Sequence, residues 1–155
     1  MAFETERKFL VDHKLWENEP KPAGQMILQG YISDTENGVV RVRVMGKNAF
    51  ITIKGRSEGI TRPEFEFPIP LNDALEMLAV LSPPVVTKTR YVVPFAGKNW
   101  EVDVFDGSNN GLIIAEIELD SEDEAFEKPA FAGNEVTADR RYGNSYLARN
   151  PFSNW

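Results

Sequence analysis

Polar and apolar residues alternate along most of this chain with a period of two, the spacing of a strand whose successive side chains point to opposite faces. The first such stretch, residues 3–11, sets Glu4, Glu6 and Lys8 on one face and Phe3, Thr5, Phe9 and Val11 on the other. Alternation returns over residues 25–33, 39–45, 49–54, 61–67, 85–93, 99–105 and 112–119. Turn signals separate many of these runs: Asn37-Gly38, Gly46-Lys47-Asn48, Gly97-Lys98 and Asn109-Asn110-Gly111. Pro63 marks a strand start or an edge. The period changes at 71–81, where Leu71, Leu75, Leu78 and Ala79 recur at helical spacing between Pro70 and Pro83-Pro84, predicting an amphipathic helix. A short helical crossover is expected over residues 12–18. Beyond residue 120 the alternation stops. There Ser121 with Glu124 reads as a capping box opening an acidic helix, and residues 134–149 read as a polar helical tail.

Eight strands joined by short turns predict a mainly β (α+β) fold: a closed eight-stranded antiparallel β-barrel, because closure removes exposed edges. Helices would pack outside it, with another at the C-terminus. A length of 155 residues fits one domain over 1–155 with a sizeable core. The chain has no cysteine, which excludes disulfides, thiolate metal sites and cysteine nucleophiles. Charges from Glu4 onward and the lack of a long apolar run lead to the expectation of a soluble, cytoplasmic protein without a membrane partner. A net charge of −7 argues against a broad nucleic-acid surface, yet leaves room for a basic cluster enclosed by an acidic shell.

Sorting the strands by face separates the charges. One face carries Glu4, Glu6, Lys8, Arg41, Arg43, Lys54, Glu64, Glu66, Lys88, Arg90, Glu101, Asp103, Glu116 and Glu118. In an ordinary small barrel this face would lie outside in water and the apolar face would fill the interior. Helices, however, need an apolar sheet face to cover. Val40, Val42, Val44, Ile51, Ile53, Phe65, Phe67, Ile113 and Ile117 supply one, which turns the charges inward. Eight carboxylates and six bases cannot form a dry core, since each desolvated ion costs several kcal/mol. They suit a wet tunnel for a charged guest. Arginines and lysines fit a chain of phosphates, and the pairs Glu4/Glu6 and Glu116/Glu118 fit a hard divalent cation.

The ordered set Glu4-x-Glu6-x-Lys8, Arg41-x-Arg43, Lys54, Glu64-x-Glu66, Lys88-x-Arg90, Asp103 and Glu116-x-Glu118 resembles the CYTH superfamily, the triphosphate tunnel metalloenzymes. The run from Glu135 to Ala148 is similar to the tail of short bacterial members. The resemblance implies a tunnel that binds a triphosphate with Mg²⁺ or Mn²⁺, two ions per active site. Its members include inorganic, thiamine and RNA triphosphatases and class IV adenylate cyclases. By position, Lys8, Arg41, Arg43, Lys54, Lys88 and Arg90 would grip phosphate oxygens. Glu4, Glu116 and Glu118 would hold metal, and Glu6 would position a second metal or the attacking water. Glu64 and Glu66 would orient bases or join the second metal's shell, and Asp103 would be a further ligand.

The expected reaction is metal-assisted hydrolysis of a terminal phosphoanhydride, with Lys88 or Tyr31 assisting the leaving group or the water. His13 is expected at the surface, and Trp16, Trp100 and Trp155 in packing. Arg140, Arg141 and Tyr142 would either plug a tunnel mouth or sit on a solvated helix. Three readings stand: an inorganic triphosphatase acting on tripolyphosphate, a class IV adenylate cyclase, and a non-enzymatic polyphosphate- or nucleotide-binding module. The substrate is a small triphosphate in the first, with monomer and homodimer both open.

Overall fold

A computed structural model of the chain describes residues 2–155. All eight expected strands form: β1 (Phe3–Val11), β2 (Gln25–Thr35), β3 (Gly38–Met45), β4 (Asn48–Gly55), β5 (Thr61–Ile69), β6 (Val85–Phe95), β7 (Lys98–Phe105) and β8 (Ile113–Glu118). A ninth, β9, covers Ala132–Glu135. The helices are α1 (His13–Glu17), α2 (Leu71–Leu81) and α3 (Asn144–Arg149).

The strands pair antiparallel in the order β5-β4-β3-β2-β6-β7-β8-β1-β9, and a β1–β5 pairing closes the first eight into a ring. That seam is short: Phe3, Glu4 and Thr5 face Pro63, Arg62 and Thr61. The other edge of β1 pairs with β8 from Glu6↔Glu118 to Leu10↔Ile114. Where β5 ends, the chain's last third takes over the vacated edge. β9 pairs at Phe9↔Glu135 and Val11↔Ala132, the Val136 N–H donates to the Lys8 carbonyl at 2.8 Å, and the Lys8 N–H donates to Thr137 Oγ1 at 3.0 Å. Backbone groups that would otherwise go unpaired are thereby satisfied.

Register sends the charges inward. Directly opposite residues share a face, and the pairs include Lys8↔Glu116, Lys54↔Glu64, Arg90↔Asp103 and Glu101↔Glu116. The apolar face packs outside the ring. Phe9, Trp100, Val102 and Ile117 form one cluster with Trp16 of α1 and Phe131, while Ala74 of α2 covers Val42 and Ala49. Because α2 packs against β3 and β4, Phe65 and Phe67 on β5 remain 39% and 52% exposed. The inward face is not charged throughout. At one end Phe105, Leu112 and Ile114 meet Leu147 of α3, forming an apolar floor.

Two expectations are corrected after residue 120. No helix begins at Ser121. Glu124 does accept a hydrogen bond from the Asp120 N–H at 2.7 Å, but the chain stops at a single turn. Phe126 leaves it to pack edge-on against Phe9 and Trp100, with centroids 6.0 and 5.9 Å away. The tail 134–149 is not one helix either. It completes β1 as an extended segment, turns at Arg140–Tyr142, and becomes helical only in α3.

The β6–β7 hairpin turns on Ala96-Gly97, with φ of 49° and 80°. Both are left-handed, the geometry that favours Asn-Gly, and an alanine there is strained. Ala96→Asn should raise stability by on the order of 1 kcal/mol, read as a higher urea midpoint with an unchanged slope.

Candidate active site in the barrel interior

The ring encloses a cavity of about 1050 Å³. Glu4, Glu6 and Lys8 of β1 reach it beside Tyr31 of β2, Arg41 and Arg43 of β3, and Lys54 of β4. Glu64 and Glu66 of β5, Lys88 and Arg90 of β6, Glu101 of β7, and Glu116 and Glu118 of β8 complete the wall. One expected site residue lies elsewhere. Asp103 is fully buried behind the wall: Arg90 donates from Nε to Oδ1 at 2.7 Å and from Nη2 to Oδ2 at 2.8 Å, and Lys88 Nζ donates to Oδ2 at 2.7 Å. Shut off from the cavity, with both oxygens occupied, Asp103 braces two cations and presents no oxygen to the cavity.

The rest of the wall divides into groups. Lys54 Nζ lies 3.0 and 2.9 Å from the two oxygens of Glu4 and 3.2 Å from Glu64, and Arg62 Nε donates to Glu4 at 3.3 Å. Lys8 stands 3.5 Å from both Glu6 and Glu116. Arg90 also reaches Glu101 at 2.6 Å and Glu116 at 3.7 Å. Arg41 bonds to Thr52 at 3.1 Å, which in turn donates to Glu66 at 2.8 Å. At the apolar end, Gln29 and Asn144 join Arg43, Tyr31 and Lys88 through hydrogen bonds of 2.8–3.1 Å.

Three of these residues escaped the sequence reading. Arg62 lies two positions before Glu64, on the same face, and period two alone would have found it; Pro63 drew attention to the strand edge instead. Gln29 and Asn144 carry no charge, and nothing in their local pattern distinguishes them. His13 is exposed at the start of α1, as expected. Trp16 packs against Tyr91 and Phe131, and Arg141 stacks over Trp155 at 4.9 Å.

Electrostatics follows from this crowding. Burial opposes ionisation of Glu4, but Lys54 and Arg62 outweigh it and hold the carboxyl at about 2. At Glu116 burial is likewise overcome, by Lys8, Arg90 and Lys88, so that carboxylate stays ionised. Glu6 goes the other way: burial and the Glu116 anion push it up to about 7. Burial, Glu4 and Glu64 also raise Glu118. On the basic side, burial pulls Lys88 down to about 7 despite Asp103, and burial with Arg41 and Arg90 lowers Arg43 to about 10.

The donor set fits a hard divalent cation. Carboxylate oxygens are its preferred ligands, and burial with the Glu116 anion drives Glu6 toward protonation, a strain that a cation beside it would relieve. Among the described residues no three acids already surround one point. Apart from Glu118, each acid of the wall turns instead to a lysine or arginine, which a bound ion would have to displace.

Known proteins place this geometry in company. The chain matches the CYTH domain over residues 2–147. It is 46% identical over 156 aligned residues to an inorganic triphosphatase of Acetivibrio thermocellus, covering 100% of this chain and 99% of that protein. An inorganic triphosphatase of Nitrosomonas europaea is 35% identical over 153 residues, covering 94% and 96%. A crystal structure of an inorganic triphosphatase superposes with a TM-score of 0.66 at 34% identity, covering 96% of this chain and 95% of that one.

The Glu6 shift has a measurable consequence. Its carboxyl binds a proton more tightly in the folded state than at its ordinary value of 4.5. Its contribution to stability is therefore greatest below about 4.5 and declines as pH rises toward about 7. In EDTA, urea unfolding across that window should show this decline in the parent. Glu6→Gln should remove a component of up to about 3 kcal/mol.

Proposed function

The chain belongs to the CYTH domain family, and from that premise we propose that its tunnel hydrolyses a linear triphosphate, inorganic tripolyphosphate above all, to pyrophosphate and phosphate. The observation that carries this reading is the convergence of seven cations on one enclosed cavity: Lys8, Arg41, Arg43, Lys54, Arg62, Lys88 and Arg90. Tyr31 and Tyr146 are the only aromatic rings among the residues lining the cavity. That poverty of stacking surface supports an inorganic chain over a nucleotide and weighs against the cyclase reading.

Phosphoryl transfer asks mainly for positioning and neutralised charge. Arg43 uses Nε on Gln29, which leaves both its Nη groups to phosphate oxygens. Lys88 gives two hydrogens to Asp103 and Asn144 and keeps a third for the tunnel. Its depressed proton affinity suits it to deliver that proton to the leaving oxygen near neutral pH. Glu6 orients the attacking water. Asp103 keeps Arg90 and Lys88 aimed. Glu6, Glu116 and Glu118 are the residues we assign to Mg²⁺ or Mn²⁺, with Glu4 and Glu64 in support. A bound ion would add charge neutralisation and acidify a water.

The deciding assay incubates the protein with tripolyphosphate or ATP, with Mg²⁺ or EDTA, and identifies every product. We expect phosphate and pyrophosphate from tripolyphosphate, faster than any product from ATP, and no turnover in EDTA. Cyclic AMP from ATP would replace this reading with the cyclase, and metal-independent binding without turnover would leave a binding module. Glu116→Gln should lower kcat by about 100-fold or more, measured per folded molecule, and should also lower the thermal midpoint, because Lys8 and Arg90 lose a compensating anion. Activity equal to the parent would remove Glu116 from the machinery.

A further inference from the structure

Gln29 is fully buried, and its amide sits between three groups whose hydrogen-bonding capacity dictates its orientation. Arg43 Nε carries a hydrogen and no lone pair, so the Gln29 oxygen 3.0 Å away must accept. The opposite end of the amide is then Nε2, with two hydrogens. One goes to Tyr31 Oη at 2.8 Å and the other to Asn144 Oδ1 at 3.1 Å. Asn144 Oδ1 also receives a hydrogen from Lys88 Nζ at 3.0 Å, which fixes its own orientation. Tyr31 Oη is left as an acceptor toward Gln29, so the phenol's own hydrogen is free to donate into the cavity that the ring lines.

We infer that Asn144, the first residue of α3, is a positioning residue for Tyr31, acting through Gln29. Arg43 sets which end of the amide faces it, and the Asn144 oxygen pins the other end so that Nε2 stays aimed at Tyr31 and the phenol hydrogen turns toward substrate. Flipping Gln29 would set its N–H₂ against the Arg43 N–H and leave one oxygen facing both Tyr31 and Asn144. A residue outside the barrel strands thus completes a polar chain begun inside them. Leu147 on the same helix, fully buried against Phe105 and Ile114, anchors Asn144 in place. For its kinetic consequence the inference rests on the triphosphatase reading.

The test compares the parent with Asn144→Ala, Asn144→Asp, Tyr31→Phe and the Asn144→Ala/Tyr31→Phe double variant, using tripolyphosphate and Mg²⁺. Asn144→Ala should lower kcat by about tenfold with KM nearly unchanged, and Asn144→Asp, which keeps the acceptor oxygen but adds an anion beside Lys88, should recover part of the loss while shifting the pH profile upward. On the Tyr31→Phe background the alanine should cost little more, because the group it positions is gone. Full multiplication of the two defects would overturn the inference. A second readout needs no turnover. In the free protein, NMR resonances of the Gln29 side-chain amide and the Tyr31 ring should move in Asn144→Ala and stay near their parent positions in Asn144→Asp. Resonances unmoved by the alanine overturn the inference whatever the kinetics. Resonances that move as expected in a protein that fails to hydrolyse tripolyphosphate uphold the positioning role and reject only the activity.

Discussion

Asp103 lies fully buried beneath two cations, with Arg90 across both its oxygens and Lys88 on one. An ion withdrawn from water costs several kcal/mol unless an opposite charge stands beside it. A cavity wall built from lysines and arginines would therefore be untenable without anions set among them. Burial still opposes ionisation at Asp103, yet the two cations outweigh it. The same arrangement recurs around the ring, with Glu4 against Lys54 and Arg62, and Glu116 against Lys8 and Arg90. Register makes these pairings possible, because each inward residue of one strand stands opposite an inward residue of the next.

That compensation is deliberately incomplete at two places. Glu6 is buried beside the Glu116 anion and drifts toward protonation, while Lys88 and Arg43 have too much burial and too many like neighbours to hold their protons at full strength. The excess of acid around Glu6 on β1 and the excess of base around Arg43 on β3 and Lys88 on β6 lie on different parts of the wall. A guest carrying both signs, such as a phosphate chain with a divalent ion, relieves both at once. The apolar floor under α3 limits where that guest can lie.

The barrel was legible in the sequence because the pleat imposes its period directly on residue order, and α2 because Leu71, Leu75 and Leu78 broke that period between prolines. The inward turn of the charges followed from asking which face a helix could cover. Features decided by long-range pairing were not legible. Ser121 and Glu124 carry the letters of a cap, but the packing of Phe126 on Phe9 and Trp100 ends the turn. The segment from Ala132 becomes a strand only because β5 leaves part of β1 unpaired. Asp103 alternates in step with the other acids, and nothing local reveals that two cations cover it from the cavity side. Gln29 and Asn144 lacked any charge to mark them.

The strand that opens the ring in chain order is the last to find all its neighbours. β1 pairs with β5, with β8 and finally with β9, so its partners span the chain almost to its end. Pairing of such high sequence separation forms slowly and leaves a strand exposed meanwhile. Glu4, Glu6, Arg7 and Lys8 discourage another chain from adding to that waiting edge. The charges that later face the tunnel thus also keep the growing chain apart from its copies until the ring can close.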